Sequence, residues 1–175
     1  MKKTVTIFGS SIPRPGDAEY ESASRLGSLL AEAGINVCSG GFQGIMDAVS
    51  KGASEKGVEA IGVTVNIFNA LPSRYLTKEI KCNTLMERLT KLVEIGDAYV
   101  ILNGGTGTLL ELSLVWEYIN KGLIEAKPCA AVGKMWNDMI PLMEKQIERE
   151  KRKTGLIKCF DEVEECAAYI INSLK

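Results

Sequence analysis

The chain has 175 residues, room for one domain with a sizeable core, and its 46% apolar and 25% charged composition is that of a packed globular protein. Lys and Arg number 21 against 22 Asp and Glu, a net charge of −1 that gives no sign of a nucleic-acid surface. The histidine count is zero, which excludes every mechanism that needs an imidazole: the Ser-His-Asp triad, the Cys-His dyad and His-ligated zinc.

Short β-branched runs alternate with longer helical stretches, the pattern of a parallel sheet covered by helices on both faces. Thr4 to Phe8 reads as the first strand and ends in Gly9-Ser10-Ser11. A helix from about Asp17 to Ala33 follows, with Ala23, Leu26, Leu30 and Ala33 at helical spacing and Gly34 as its stop. Ile35 to Cys38 is the second strand and runs into Ser39-Gly40-Gly41-Phe42-Gln43-Gly44, after which a second helix continues to about Lys56. Val58 to Val63 is the third strand. The stretch from Thr64 to Thr84 has weak periodicity and reads as an irregular loop with a short strand near Ile80.

Thr84, with Glu87 three residues on, has the capping-box spacing for a helix from Leu85 to about Ile95. Asp97 to Leu102 is the fourth long strand, and Asn103-Gly104-Gly105-Thr106-Gly107-Thr108 leads into an apolar helix that closes at Gly122. Pro128 to Val132 is a strand, Asn137 to Lys153 a helix, Ile157 to Phe160 a short strand and Asp161 to Ser173 a final helix. With no internal repeat and no linker, residues 1–175 read as a single domain. Five cysteines without a C-x-x-C pair suggest no disulfide framework and point to a reducing cytoplasm. The run from Thr4 to Phe8 is too short for a signal-peptide core or a membrane span, so no membrane association is expected.

In an open parallel sheet, ligands bind beyond the carboxyl ends of the strands. Glycine stands at three such junctions: at Gly9 and Ser10, at Gly40, Gly41 and Gly44, and at Gly104, Gly105 and Gly107 with Thr106 and Thr108. Glycine allows close backbone approach, and amides at a helix start favour an anion such as phosphate. One such turn has an equally good steric explanation, whereas three together point to an anionic ligand. Neither G-x-x-x-x-G-K-[ST] nor a G-x-G-x-x-G after the first strand is present, which favours a mononucleotide or sugar phosphate over an NTPase or a nicotinamide enzyme.

Ser39-Gly-Gly-Phe-Gln-Gly-Ile-Met46, the Glu87-Arg88 pair and Gly104-Gly-Thr-Gly-Thr-Leu-Leu-Glu111 resemble the LOG family, in which P-G-G-x-G-T-x-x-E is paired with an upstream M-x-x-R-K. The resemblance covers nearly the whole chain. It implies a Rossmann-like three-layer α/β sandwich, a homodimer, no cofactor and no metal, and a phosphoribohydrolase that splits a nucleoside 5′-monophosphate into free base and ribose 5-phosphate. Asn103 stands in place of the motif's proline, Leu85 of its methionine, Leu89 of its lysine and Leu110 of its usual first glutamate. What carries over is Arg88, Glu111 and the glycine-threonine loop. Glu111 would stabilise charge on the ribose or activate water, Arg88 would orient the substrate, and the Gly105 to Thr108 amides with the Thr106 and Thr108 hydroxyls would hold the phosphate. The loop from Thr64 to Thr84, including Arg74 and Tyr75, would shape the base pocket.

Each residue has a structural competitor. Thr108 and Glu111 also satisfy the capping-box spacing, Arg88 reads alone as a surface arginine, and Glu87 with Lys91 reads as a surface ion pair. Ser10 and Ser11 serve equally as loop hydroxyls, Asp97 as a turn cap and Cys38 as small core packing. The helix from Leu109 to Ile119 is apolar around too much of its circumference for one stripe, which calls for deep burial or a two-fold contact. A second class of function also fits: a non-catalytic protein holding a nucleotide or pterin-type cofactor in the same pocket, as relatives resembling molybdenum cofactor carriers do.

Overall fold

A computed structural model describes residues 2–175; Met1, part of the expected domain, lies outside the described residues. Seven strands form one sheet in the order β4-β3-β2-β1-β5-β6-β7, and all six pairings are parallel. The strands are β1 (Thr4–Phe8), β2 (Asn36–Ser39), β3 (Ala60–Val65), β4 (Lys78–Cys82), β5 (Ala98–Ile101), β6 (Cys129–Val132) and β7 (Lys158–Phe160). The helices between them are α1 (Ala18–Glu32), α2 (Ile45–Ser54), α3 (Leu85–Ile95), α4 (Thr106–Asn120), α5 (Lys134–Arg149) and α6 (Val163–Ser173). This is the expected Rossmann-like three-layer sandwich.

Side-chain alternation along the strands sorts the helices into two layers. Val5, Ile7, Val37, Ala98 and Val100 point to one face and pack on α1, α2 and α6 through Leu26, Leu30, Val49 and Ile170. Phe8, Cys38, Tyr99, Ile101 and Ala131 point to the other and pack on α3, α4 and α5 through Leu92, Leu112, Val115, Trp136 and Ile140. Both strand faces are covered, and β1, β2, β3, β5 and β6 are buried throughout.

Three boundaries differ from expectation, each for a local reason. The strand near Ile80 is a five-residue edge strand whose Lys78, Glu79 and Lys81 are exposed, so it lacks the apolar signal of a central strand. Strand β3 runs to Val65, two residues into the stretch expected to be loop, because β4 pairs with it there. Helix α5 begins at Lys134 rather than Asn137: Gly133, at φ 107, turns the chain from β6 straight into the helix. It ends at Arg149, and Lys151 beyond it has φ 58. Helix α3 starts as expected, with Thr84 Oγ1 accepting from Glu87 N at 3.1 Å and Glu87 Oε2 accepting from Asn83 N at 2.8 Å.

Helix α4 buries Leu112, Val115, Trp116 and Ile119 but leaves Leu109 37% and Leu110 46% exposed. Deep burial therefore does not account for its apolar circumference. Chain connections diverge between β1, which leads to β2, and its other neighbour β5, so the switch point of the sheet lies at the carboxyl ends of these two strands.

Candidate active site

The three glycine junctions meet at this switch point. Ser10 N donates to Asn103 O at 2.9 Å, joining the loops after β1 and β5, and Ile45 N donates to Ser10 O at 2.8 Å, joining the loop after β2. They border a cavity of about 520 Å³, within the range of small-molecule sites. Gly9 and Ser10 line it from the β1 loop, and Gly105, Thr106, Gly107 and Thr108 from the start of α4. Arg88 of α3 and Glu111 of α4 are also in its wall.

Gly40, Gly41, Gly44 and Gly104 do not line the cavity; each permits a close approach behind it. A side chain at Gly40 would occupy the space of the Arg88 guanidinium, and one at Gly104 would overlap the Thr108 hydroxyl. Gly44, at φ 69, lies against the Ser10 and Ser11 backbone, and Gly41 O accepts from Ser73 N at 2.9 Å. These glycines thus shape the site indirectly.

At the cavity rim, α4 begins without a side-chain cap on Gly105, and the first of its amides to reach a helical carbonyl is Leu109 N, bonded to Gly105 O at 3.0 Å. The amides of Thr106, Gly107 and Thr108 precede it in the first turn, where the helix dipole adds partial positive charge. This arrangement suits a phosphate.

Spacing alone misassigns Glu111 and Arg88. Because α4 starts at Thr106, Thr108 lies inside the first turn and Glu111 in the second, so the two do not form a capping box. Instead Glu111 Oε1 lies 3.5 Å from Arg88 Nη1, with side chains 11% and 7% exposed. Arg88 is therefore not a surface arginine: its Nε donates to Val63 O at 2.8 Å, and its guanidinium carbon sits 5.9 and 5.8 Å from the Phe42 and Phe68 ring centroids. Burial pushes the Glu111 carboxyl up to about 7 against the smaller opposing pull of Arg88. Burial also lowers the Arg88 pKa, opposed by the nearby carboxylate.

The expected Glu87–Lys91 pair is replaced by Lys91 with Glu94, at 2.7 Å, because Glu87 is taken by the cap of α3. Ser10 Oγ accepts from Ile12 N at 3.1 Å, and Asp97 accepts from Thr4 N at 2.9 Å. Cys38 is fully buried and its thiol is pushed up to about 12, which keeps it protonated. Among the described residues, no group of three His, Cys, Asp or Glu side chains is placed to hold a metal ion.

Sequence reasoning overlooked an apolar wall of Ile12, Phe42, Met46, Phe68 and Ala70. Phe42 stood inside a glycine motif read for its backbone, and the exposed apolar residues Ile67, Phe68 and Leu71 were a usable signal in a loop. Arg74 and Tyr75 are not part of this wall; Arg74 Nη2 donates to Tyr75 OH at 2.7 Å outside the cavity.

A doubly covered all-parallel sheet, with a cavity at its switch point that holds a buried acid and base, defines a Rossmann-like protein. The chain belongs to the SLOG cluster4 family, whose model matches residues 2–161. It is 30% identical over 131 residues to a cytokinin riboside 5′-monophosphate phosphoribohydrolase of Rhodococcoides fascians, covering 73% of this chain and 66% of that protein. It is also 30% identical over 160 residues to a probable enzyme of the same name from Oryza sativa subsp. japonica, covering 83% and 65%. The chain thus matches about two thirds of the length of these relatives, and it is a divergent relative of the LOG proteins. Among solved structures, the molybdenum cofactor binding protein of Rippkaea orientalis has a TM-score of 0.79 at 20% identity, covering 100% of this chain and 99% of that one. The molybdenum cofactor carrier protein of Chlamydomonas reinhardtii has 0.77 at 22%, covering 99% of each. These two likenesses concern the fold. No helix among the described residues is long and apolar enough to cross a membrane.

Proposed function

We propose that the chain is a nucleoside 5′-monophosphate phosphoribohydrolase that releases free base and ribose 5-phosphate. The observation that carries this reading is the placement of the buried Glu111–Arg88 pair one turn along α4 from the open amides of Thr106 to Thr108, in one cavity. The amides and the Thr106 and Thr108 hydroxyls bind the 5′-phosphate. Side chains on a helix lean toward its N-terminus, so Glu111 reaches back toward the ribose that follows the phosphate. As the C1′–N bond breaks, its electron pair leaves with the base and positive charge grows on the sugar ring. The Glu111 carboxylate stabilises that charge and takes the proton of the water that adds to C1′, while the departing base is protonated from solvent. Arg88 holds the carboxylate in place and stays charged.

The chain acts as one nucleotide-binding domain in the cytoplasm and pairs with a second copy through the exposed Leu109 and Leu110 of α4. The test is incubation with a panel of nucleoside monophosphates and assay of free base and ribose 5-phosphate. Release that Glu111→Gln abolishes without loss of fold supports the reading; no release from any of them refutes it. A nucleotide or molybdenum-cofactor-type carrier is the second reading, favoured by Leu89, which is 2% exposed where the LOG motif has a lysine. Its signature is tight binding without turnover.

A further inference from the structure

We infer that the loop from 66 to 73 builds a base subsite that holds an aromatic heterocycle by stacking and apolar contact, and that Asp47 is the positioning residue from which this loop hangs. The inference rests on the nucleotide reading above.

Contacts place the site's groups in a fixed order. The amides of Thr106 to Thr108 share α4 with Glu111, Glu111 meets Arg88, and Arg88 lies against Phe42 and Phe68. A phosphate, a ribose and a base occur in that order in the ligand, so the base falls at the aromatic end. There Ile12, Phe42, Phe68 and Ala70 offer no side-chain oxygen or nitrogen, and the Met46 sulfur faces Arg88 Nη2 at 4.0 Å. Phe42 is buried and meets Phe68 edge to face, with centroids 5.9 Å apart and planes at 77°. Phe68 keeps 43% of its surface exposed, which leaves it able to meet a flat ring.

Phe68 is carried by a loop with few ties of its own. Its main anchor is Asp47, 8% exposed in the first turn of α2, which accepts from Tyr20 OH at 2.5 Å and from Ser73 Oγ at 2.6 Å. A buried carboxylate is tolerated only when such donors replace water, and these two join α1, α2 and the loop into one unit. Ser73 N on Gly41 O and Gln43 Nε2 on Leu71 O, at 2.9 and 3.1 Å, complete the attachment. Asp47 does not line the cavity, so its effect passes through the loop.

Calorimetric titration of the full chain with AMP and, separately, ribose 5-phosphate tests this without requiring turnover. Base stacking predicts that Phe68→Ala weakens AMP roughly tenfold or more while ribose 5-phosphate changes less than about twofold. Phe68→Trp retains AMP binding. Ser73→Ala and Asp47→Asn follow the pattern of Phe68→Ala, and Ser73→Ala keeps the test open should Asp47→Asn fail to fold. AMP, GMP and IMP bind the wild type within about tenfold of one another, since an apolar wall does not read the ring's edge groups. Equal losses for AMP and ribose 5-phosphate, unchanged AMP binding in Phe68→Ala, a hundredfold preference for one base, or no AMP binding by wild type would overturn the inference. The expected pattern in a protein that releases no base would support the subsite and refute only the hydrolase reading.

Discussion

Replacing Glu111 by Gln gives a test of the buried carboxyl that needs no substrate. The side chain keeps its shape and loses its proton equilibrium. Its folded pKa is raised from 4.5 to about 7, chiefly by burial. A raised carboxyl stabilises the fold below its unfolded value and loses that contribution as pH rises through the folded one, because the unfolded chain releases the proton first. The window is therefore pH 4.5 to about 7. At about 1.4 kcal/mol per pH unit, the wild type loses on the order of 3 kcal/mol across it relative to the variant. For a chain of this size that corresponds to roughly 6–12 °C in melting temperature. Melting both proteins by calorimetry from pH 4 to 8 and subtracting the curves cancels the other titrating groups. Wild type should lose ground steadily from pH 4.5 and level off above 7. A difference independent of pH would refute the burial argument, and one that grows with pH would mean that Arg88, not burial, dominates the carboxyl.

Three further outcomes follow from the same geometry. On the hydrolase reading, the log of kcat/KM for AMP should rise with pH, bend near 7 and level off above it, since the free protein must ionise Glu111; the substrate phosphate, with pKa about 6, adds a second break below it. Gly40→Ala should lower kcat/KM more than about tenfold and cost about 1–3 kcal/mol in denaturant unfolding, because its methyl group displaces the Arg88 guanidinium. Leu109→Glu should shift the solution mass from two chains to one by light scattering, as the 37% exposed leucine becomes charged at the proposed pairing face.

The layered fold was legible because central strands carry dense apolar runs and the glycines punctuate them; β1, β2 and β5 fall within a residue or two of their expected bounds. Strand β4 was harder, since an edge strand with exposed Lys78, Glu79 and Lys81 has no burial to advertise. The glycine-threonine turn that opens α4 at the cavity was visible as well, being a backbone feature that these residues encode locally. The apolar end was not, because Phe42 and Phe68 are 26 positions apart and only the folded chain brings them to the same arginine.

Glu111 and Arg88 show why the buried pair was the least readable from spacing. A glutamate three residues after a threonine is ambiguous until the helix start is known, and a start at Thr106 moves the carboxylate a turn too far to cap. Arg88 gives no local sign of burial, since the groups that bury it come from β3, the loop after β2 and the loop after β3. Glu111 is buried as well, and its own loss of water raises its carboxyl to about 7 despite a cation 3.5 Å away. Were the arginine at the surface, the buried carboxyl would lose the one charge that favours its ionised form, and its pKa would rise further. The pairing thus depends on Gly40 having no side chain, since a Cβ there would occupy the space of the guanidinium that meets the buried carboxylate.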